Sequence, residues 1–80
     1  MVQAMTVNRK TRRWGPAQRR AADALIEQAR QHPNAHMRLQ DIAPAAGVSC
    51  AAVARALQRL VANAEIVAER GGRGYRVRLP

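Results

Sequence analysis

Cysteine is almost absent: the 80-residue chain contains one, Cys50. A single thiol excludes an internal disulfide and a structural zinc held by a set of cysteines, so packing alone must hold the fold together. Long apolar runs are also lacking. No stretch approaches a membrane span, and the first residues have no apolar core of the kind a secretory signal needs, which predicts a cytosolic protein. No carboxylate pair or nucleophile triad is visible. Gly71-Gly72-Arg73-Gly74 follows a strand-like run but lacks the spacing and following helix of a phosphate-binding loop, so it reads as a turn. His32 and His36 have no third ligand beside them and read as ordinary loop residues, with a metal pair as the alternative. The expectation is no enzyme, no cofactor and no metal. Carboxylates are scarce as well.

Fourteen basic residues face five acidic ones, giving a formal charge of +9, and every basic residue except Lys10 is arginine. Such a balance points to a polyanionic partner. Arginine suits that partner because its planar fork grips phosphate oxygens and guanine edges in two places at once. The competing reading is a solubilising basic surface. The length suffices for one small domain and not for two. Residues 1–13, which include Asn8-Arg9-Lys10-Thr11-Arg12-Arg13, are too polar to fold and read as a flexible basic arm, leaving 14–80 as the domain.

Gly15-Pro16 predicts the start of a first helix, since proline at the first helical position loses no needed hydrogen bond. Trp14 is placed to staple against its first turns. Ala22, Leu25, Ile26 and Ala29 recur on one face, with Arg20, Asp23, Glu27 and Arg30 on the other. Pro33 predicts an end near Gln31, followed by a turn at Asn34. His36-Met37-Arg38 is short enough to be a brief strand that a later hairpin recruits. Leu39, Ile42, Ala43 and Ala46 give a second helix with Asp41 in its first turn, where its charge suits the dipole. Pro44 within it predicts a kink or a late start. Gly47 closes it by accepting a left-handed dihedral.

Ser49 is a good N-cap for a third helix, in which Cys50, Val53, Leu57, Leu60 and Val61 share a face expected to be core. Cys50 in that position reads as a small buried residue, with a thiol sensor in the first helical turn as the alternative. After a stop at Asn63, Ile66–Arg70 and Tyr75–Leu79 flank the glycine turn as a β-hairpin. Tyr75, Val77 and Leu79 are expected to face inward, and Arg76 and Arg78 outward.

Helix, short strand, helix, tight turn, helix and glycine-tipped hairpin is an α+β order. The run "LQDIAPAAGVSCAAVARALQRLVANAEIVAERGGRGYRV" resembles the winged helix-turn-helix core of bacterial regulators, especially the N-terminal domains of GntR-type repressors. Its A-G-V-S turn and Val-x3-Leu-x2-Leu spacing carry the resemblance, which covers most of residues 16 to 79. The resemblance implies that the helix after Ser49 enters the major groove of double-stranded DNA, with the hairpin wing at the minor groove. The family often has arginine, threonine and arginine where this chain has Cys50, Ala52 and Ala54, which takes away the usual polar contacts of the helix front.

Around the wheel, Ala51, Ala52, Arg55, Arg59 and Ala62 lie opposite the core, with Gln58 at the margin. Alanine methyls can touch thymine methyls and let the backbone approach closely. Arg55 is the candidate to read a guanine or clamp its phosphate, Arg59 to hold the backbone, and Ser49 to meet a phosphate at the helix start. Both arginines as plain solvated residues is the alternative. Arg73 at the hairpin tip suits a narrow minor groove, and Arg70 and Arg76 suit flanking phosphates. In the arm, Arg9, Lys10, Arg12 and Arg13 can track phosphates or serve as a solubilising tail. The expected function is sequence-specific regulation of transcription, as a repressor occupying its site in the bacterial cytoplasm or nucleoid. No effector domain follows the wing, so no small-molecule effector is expected. Two copies on a repeated or palindromic site would tighten binding. An architectural protein of low sequence preference and a winged-helix protein-interaction module are the two competing functions.

Overall fold

In the computed structural model, the described residues are 14–80. The predicted arm, with Arg9, Lys10, Arg12 and Arg13, lies outside them. Among the described residues the fold is α+β: three helices and one three-stranded antiparallel sheet. Helix α1 spans Pro16–Gln31, with Gly15 as N-cap and proline at its first position. The extended backbone of Gly15 and the fixed φ of Pro16 set the chain into the helix without wasting a donor. On its exposed side the Glu27 carboxylate accepts from Arg30 and Gln31. The His32 N–H turns back to Gln28 O at 2.9 Å, and Asn34, at φ 64°, donates to Val77 O at 3.0 Å. That bond ties the turn after α1 to the far end of the chain.

Strand β1 is His36–Met37 alone. Two residues cannot form a strand unaided; the hairpin of β2 (Val67–Gly71) and β3 (Gly74–Arg78) recruits them, giving the order β1-β3-β2. Met37 pairs with Tyr75 and His36 with Arg76, while Arg70 pairs with Tyr75 and Gly71 with Gly74. A two-residue loop, Gly72-Arg73, closes the hairpin. Only the first of the two has positive φ, at 58°, the sign pattern of the primed turn that matches the twist of paired strands.

Gly74 has a second constraint. A Cβ there would stand 2.1 Å from Met37 O and 3.0 Å from the His36 ring. Gly74→Ala is therefore expected to push β1 off β3 and to cost about 1–3 kcal/mol, as overpacking does. A thermal melt unchanged from wild type would show that the close approach is not real.

Helix α2, Leu39–Ala46, starts without delay and runs through Pro44. The expected late start is thus corrected. The donor Pro44 lacks would have served Gln40, an exposed residue of the first turn. Gly47, at φ 70°, ends the helix, and the N–H groups of Gly47 and Val48 turn back to Pro44 O at 3.1 Å and Ala43 O at 3.0 Å. After this three-residue turn comes α3, Cys50–Ala62, capped by the Ser49 hydroxyl, which accepts from the Ala52 N–H at 3.2 Å. The chain bends by 105° between α2 and α3. At the far end Ala64, at φ 58°, reverses the chain into β2.

Every element contributes to one core. Leu25 from α1, Val53 and Leu60 from α3, Ile66 and Val77 are its largest fully buried side chains, joined by Trp14, Met37, Ile42 and several alanines. Alanine at 21, 22, 29 and 56 lets the helices approach closely, which suits a core this small. Three expected core positions are corrected. Cys50 is exposed, Val61 is 43% exposed and Leu79 is 40% exposed. Helix α3 packs chiefly on α1 and α2, and Cys50 and Val61 line open grooves beside the hairpin instead of entering the core. Leu79 lies beyond the last residue of β3, where register no longer holds it inward. Among the described residues no single helix is long and apolar enough to cross a membrane.

Candidate nucleic-acid interface

Helix α3 and the hairpin present most of the predicted site residues. Ser49, Ala51, Arg55 and Gln58 are exposed, and Ala52 is half-buried. The Ser49 oxygen accepts from Ala52, which leaves its hydroxyl proton free to donate outward. Arg55 stands on the exposed side of α3, opposite Val53, as the wheel places it. Gln58 lines a groove together with the hairpin residues Ala68, Arg70 and Tyr75. Together they supply the long polar reach of this helix.

Arg59 is placed differently from expectation. Its guanidinium lies over the Trp14 ring at 4.8 Å from the centroid, and Nη1 donates to Gln18 Oε1 at 3.2 Å. A half-buried residue in these contacts joins α3 to the start of α1. The wheel shows that it leaves the core side of α3 but not that Trp14 waits there. Stacking on an aromatic face holds a guanidinium in place, and here it ties α3 to the start of α1.

The hairpin separates the three arginines grouped with it. Cross-strand partners share a face, so Arg70 and Tyr75 lie on the side turned toward the helices, while Glu69, Arg76 and Arg78 lie on the other. Two contacts agree with that division: the Arg70 guanidinium stands over the Tyr75 ring at 6.0 Å, and Arg78 Nη1 meets Glu69 Oε1 at 2.9 Å. Arg76 therefore does not share a surface with Arg70. On its side His36 Nε2 lies 3.2 Å from Gly71 O, and His32 is exposed in the turn after α1.

Two open grooves flank the Arg70–Tyr75 pair. The first, of about 320 Å³, is lined by Arg38, Gln40, Cys50, Arg70, Arg73 and Tyr75. The second, of about 400 Å³, runs between α3 and β2 and is mainly apolar, with Leu57, Val61 and Ala68 along it and Gln58 and Arg70 at its polar side. Arg70 and Tyr75 line both, so the surface is continuous from the front of α3 past the hairpin.

Arg38 was not among the residues singled out from the sequence. The sequence carries no local signal for it: Met37 pairs with Tyr75, and Arg38, leaving the strand as the N-cap of α2, lines the groove with Arg70 and Arg73. Among the described residues the ion pairs are Arg30–Glu27 and Arg78–Glu69. Arg38, Arg55, Arg70 and Arg73 thus carry positive charge that no carboxylate neutralises. Comparison of the chain with protein-family models, curated proteins and solved structures finds no match in any of the three.

Proposed function

We propose that this chain is a winged helix-turn-helix domain that binds double-stranded DNA, with α3 in the major groove and the β2–β3 hairpin as a wing at the adjacent minor groove. The observation that carries the reading is the set of four arginines without carboxylate partners around α3 and on the helix side and tip of the hairpin, Arg38, Arg55, Arg70 and Arg73. Desolvating so much like charge is favourable only opposite a polyanion. The 105° corner across Gly47-Val48-Ser49 supports the same reading, because helix-turn-helix units meet at about 90–120° across a 3–4-residue turn. Alanine at 51 and 52 leaves the α3 backbone free to approach base edges, while Arg55 supplies a bidentate contact. The biological role that follows is regulation of transcription by occupancy of a site.

Selection from a random duplex pool at physiological salt tests this directly. Enrichment of a defined motif supports a regulator, and a repeated motif reveals two copies on the site. Binding without enrichment turns the reading toward an architectural protein. Arg55→Ala is expected to cost about 1–3 kcal/mol on the selected motif and less on random duplex. Equal losses on both would remove base reading from Arg55.

A second reading, protein docking, has the apolar groove beside Val61 in its favour. Grooves of that character bind partner segments. Absence of DNA binding by the wild type would leave this reading standing and overturn the first.

A further inference from the structure

We infer that the groove between the start of α2 and the hairpin is a phosphate seat in which Arg38, a residue outside both α3 and the wing, grips the nucleic-acid strand together with Arg70 and Arg73. This rests on the DNA-binding reading for its ligand, and on its own geometry for the site. The groove holds about 320 Å³ and has three arginines on its walls, with no carboxylate lining it. Gln40 adds an amide donor and Tyr75 a floor. Phosphodiester oxygens fit this set because each is an acceptor with negative charge, and guanidinium forks meet two such oxygens at once.

The seat is built by the fold. β1 exists only because β3 recruits it, and the pairing Met37–Tyr75 carries the next residue, Arg38, to the level of Gly74. There Arg38 caps α2 with extended backbone, at φ −114° and ψ 149°, and makes no side-chain cap bond. Its side chain has no task in holding the helix. Arg70 is held above Tyr75 at 6.0 Å, which limits the freedom it must lose on binding. Strand pairing and an aromatic shelf therefore position arginines from two distant parts of the chain around one anion.

Cys50 lines the same groove and is the chain's single cysteine, so its alkylation rate reports occupancy without a second label. The experiment uses the full chain and Arg38→Gln, which keeps a long polar side chain and is expected to melt as the wild type does. Arg38→Gln should weaken duplex binding by about three- to tenfold, equally on all sequences, and lower the slope of log affinity against log salt by about 1. DNA should slow alkylation of Cys50 in the wild type. If the wild type binds DNA while Arg38→Gln matches it in affinity and slope, the seat is overturned and the DNA reading stands. Inorganic tripolyphosphate, added without DNA, separates the opposite case. If the wild type binds no DNA but tripolyphosphate protects Cys50 and Arg38→Gln removes the protection, the seat stands with a free polyphosphate as ligand, and the DNA reading falls. Protection by neither polyanion overturns the seat.

Discussion

Leu60→Ala is expected to lose about 2–5 kcal/mol of stability, the cost of a buried leucine truncated where neighbours cannot fully collapse. Leu60 is 2% exposed, on the side of α3 that meets Trp14 and α1. A small cavity of about 60 Å³ already lies beside it, walled in part by Trp14, Ala22 and Ile26. Removing the three carbons beyond Cβ enlarges that space. Ala22 is too short to fill it. Native domains have only about 5–15 kcal/mol in all, and one of this size belongs at the low end. The midpoint of a thermal melt followed by circular dichroism should fall by at least about 8 °C. A fall of under about 3 °C would mean that α3 does not bury this residue against α1. The same substitution at Val61, 43% exposed, should have a far smaller effect, because the side chain has little to lose on truncation.

The contrast between Leu60 and Val61 also marks how far the sequence could be read. Local signals with one physical solution were legible: proline at the start of α1, the Ser49 cap, left-handed Gly47 and the glycine turn between β2 and β3. Each of these depends on its immediate neighbours alone. The five positions assigned to the inner face of α3 satisfy the same spacing, yet Cys50 and Val61 are exposed. Periodicity gives the direction of a side chain and not whether another element extends far enough to cover it.

Arg59 and Arg38 illustrate the same limit from the polar side. Arg59 was expected on the solvent side of α3, but it lies half-buried over Trp14, 45 positions earlier in the chain. Arg38 looks like a linker residue until strand pairing brings it to the hairpin tip. Both outcomes are set by contacts between distant segments. Strand alternation in the sequence set Arg76 on the face opposite Tyr75, but only the pairing of Arg70 with Tyr75 puts the two arginines on opposite faces.

The affinity of the chain for duplex DNA is expected to fall with a log–log salt slope of about −2.7, taking about 0.9 for each of three phosphate-contacting arginines. Raising salt from about 50 to 200 mM should then weaken binding roughly fortyfold. The three are Arg38, Arg70 and Arg73; Arg55 is left out because it is assigned to a base edge. Arg30 and Arg78 are left out because Glu27 and Glu69 pair with them, and Arg59 because Trp14 and Gln18 hold it. Arg9, Lys10, Arg12 and Arg13 provide the discriminating outcome: if all four also meet phosphates, the slope steepens to about −6. Deleting residues 1–13 would then return it to the shallower value. Arg70→Gln with Arg73→Gln should remove about 2 from the slope's magnitude, since the hairpin supplies two of the contacts. A wild-type slope near zero would mean that these arginines do not meet phosphate at all. The excess charge would then be a solubilising surface, and the apolar groove beside Val61 would become the site to pursue.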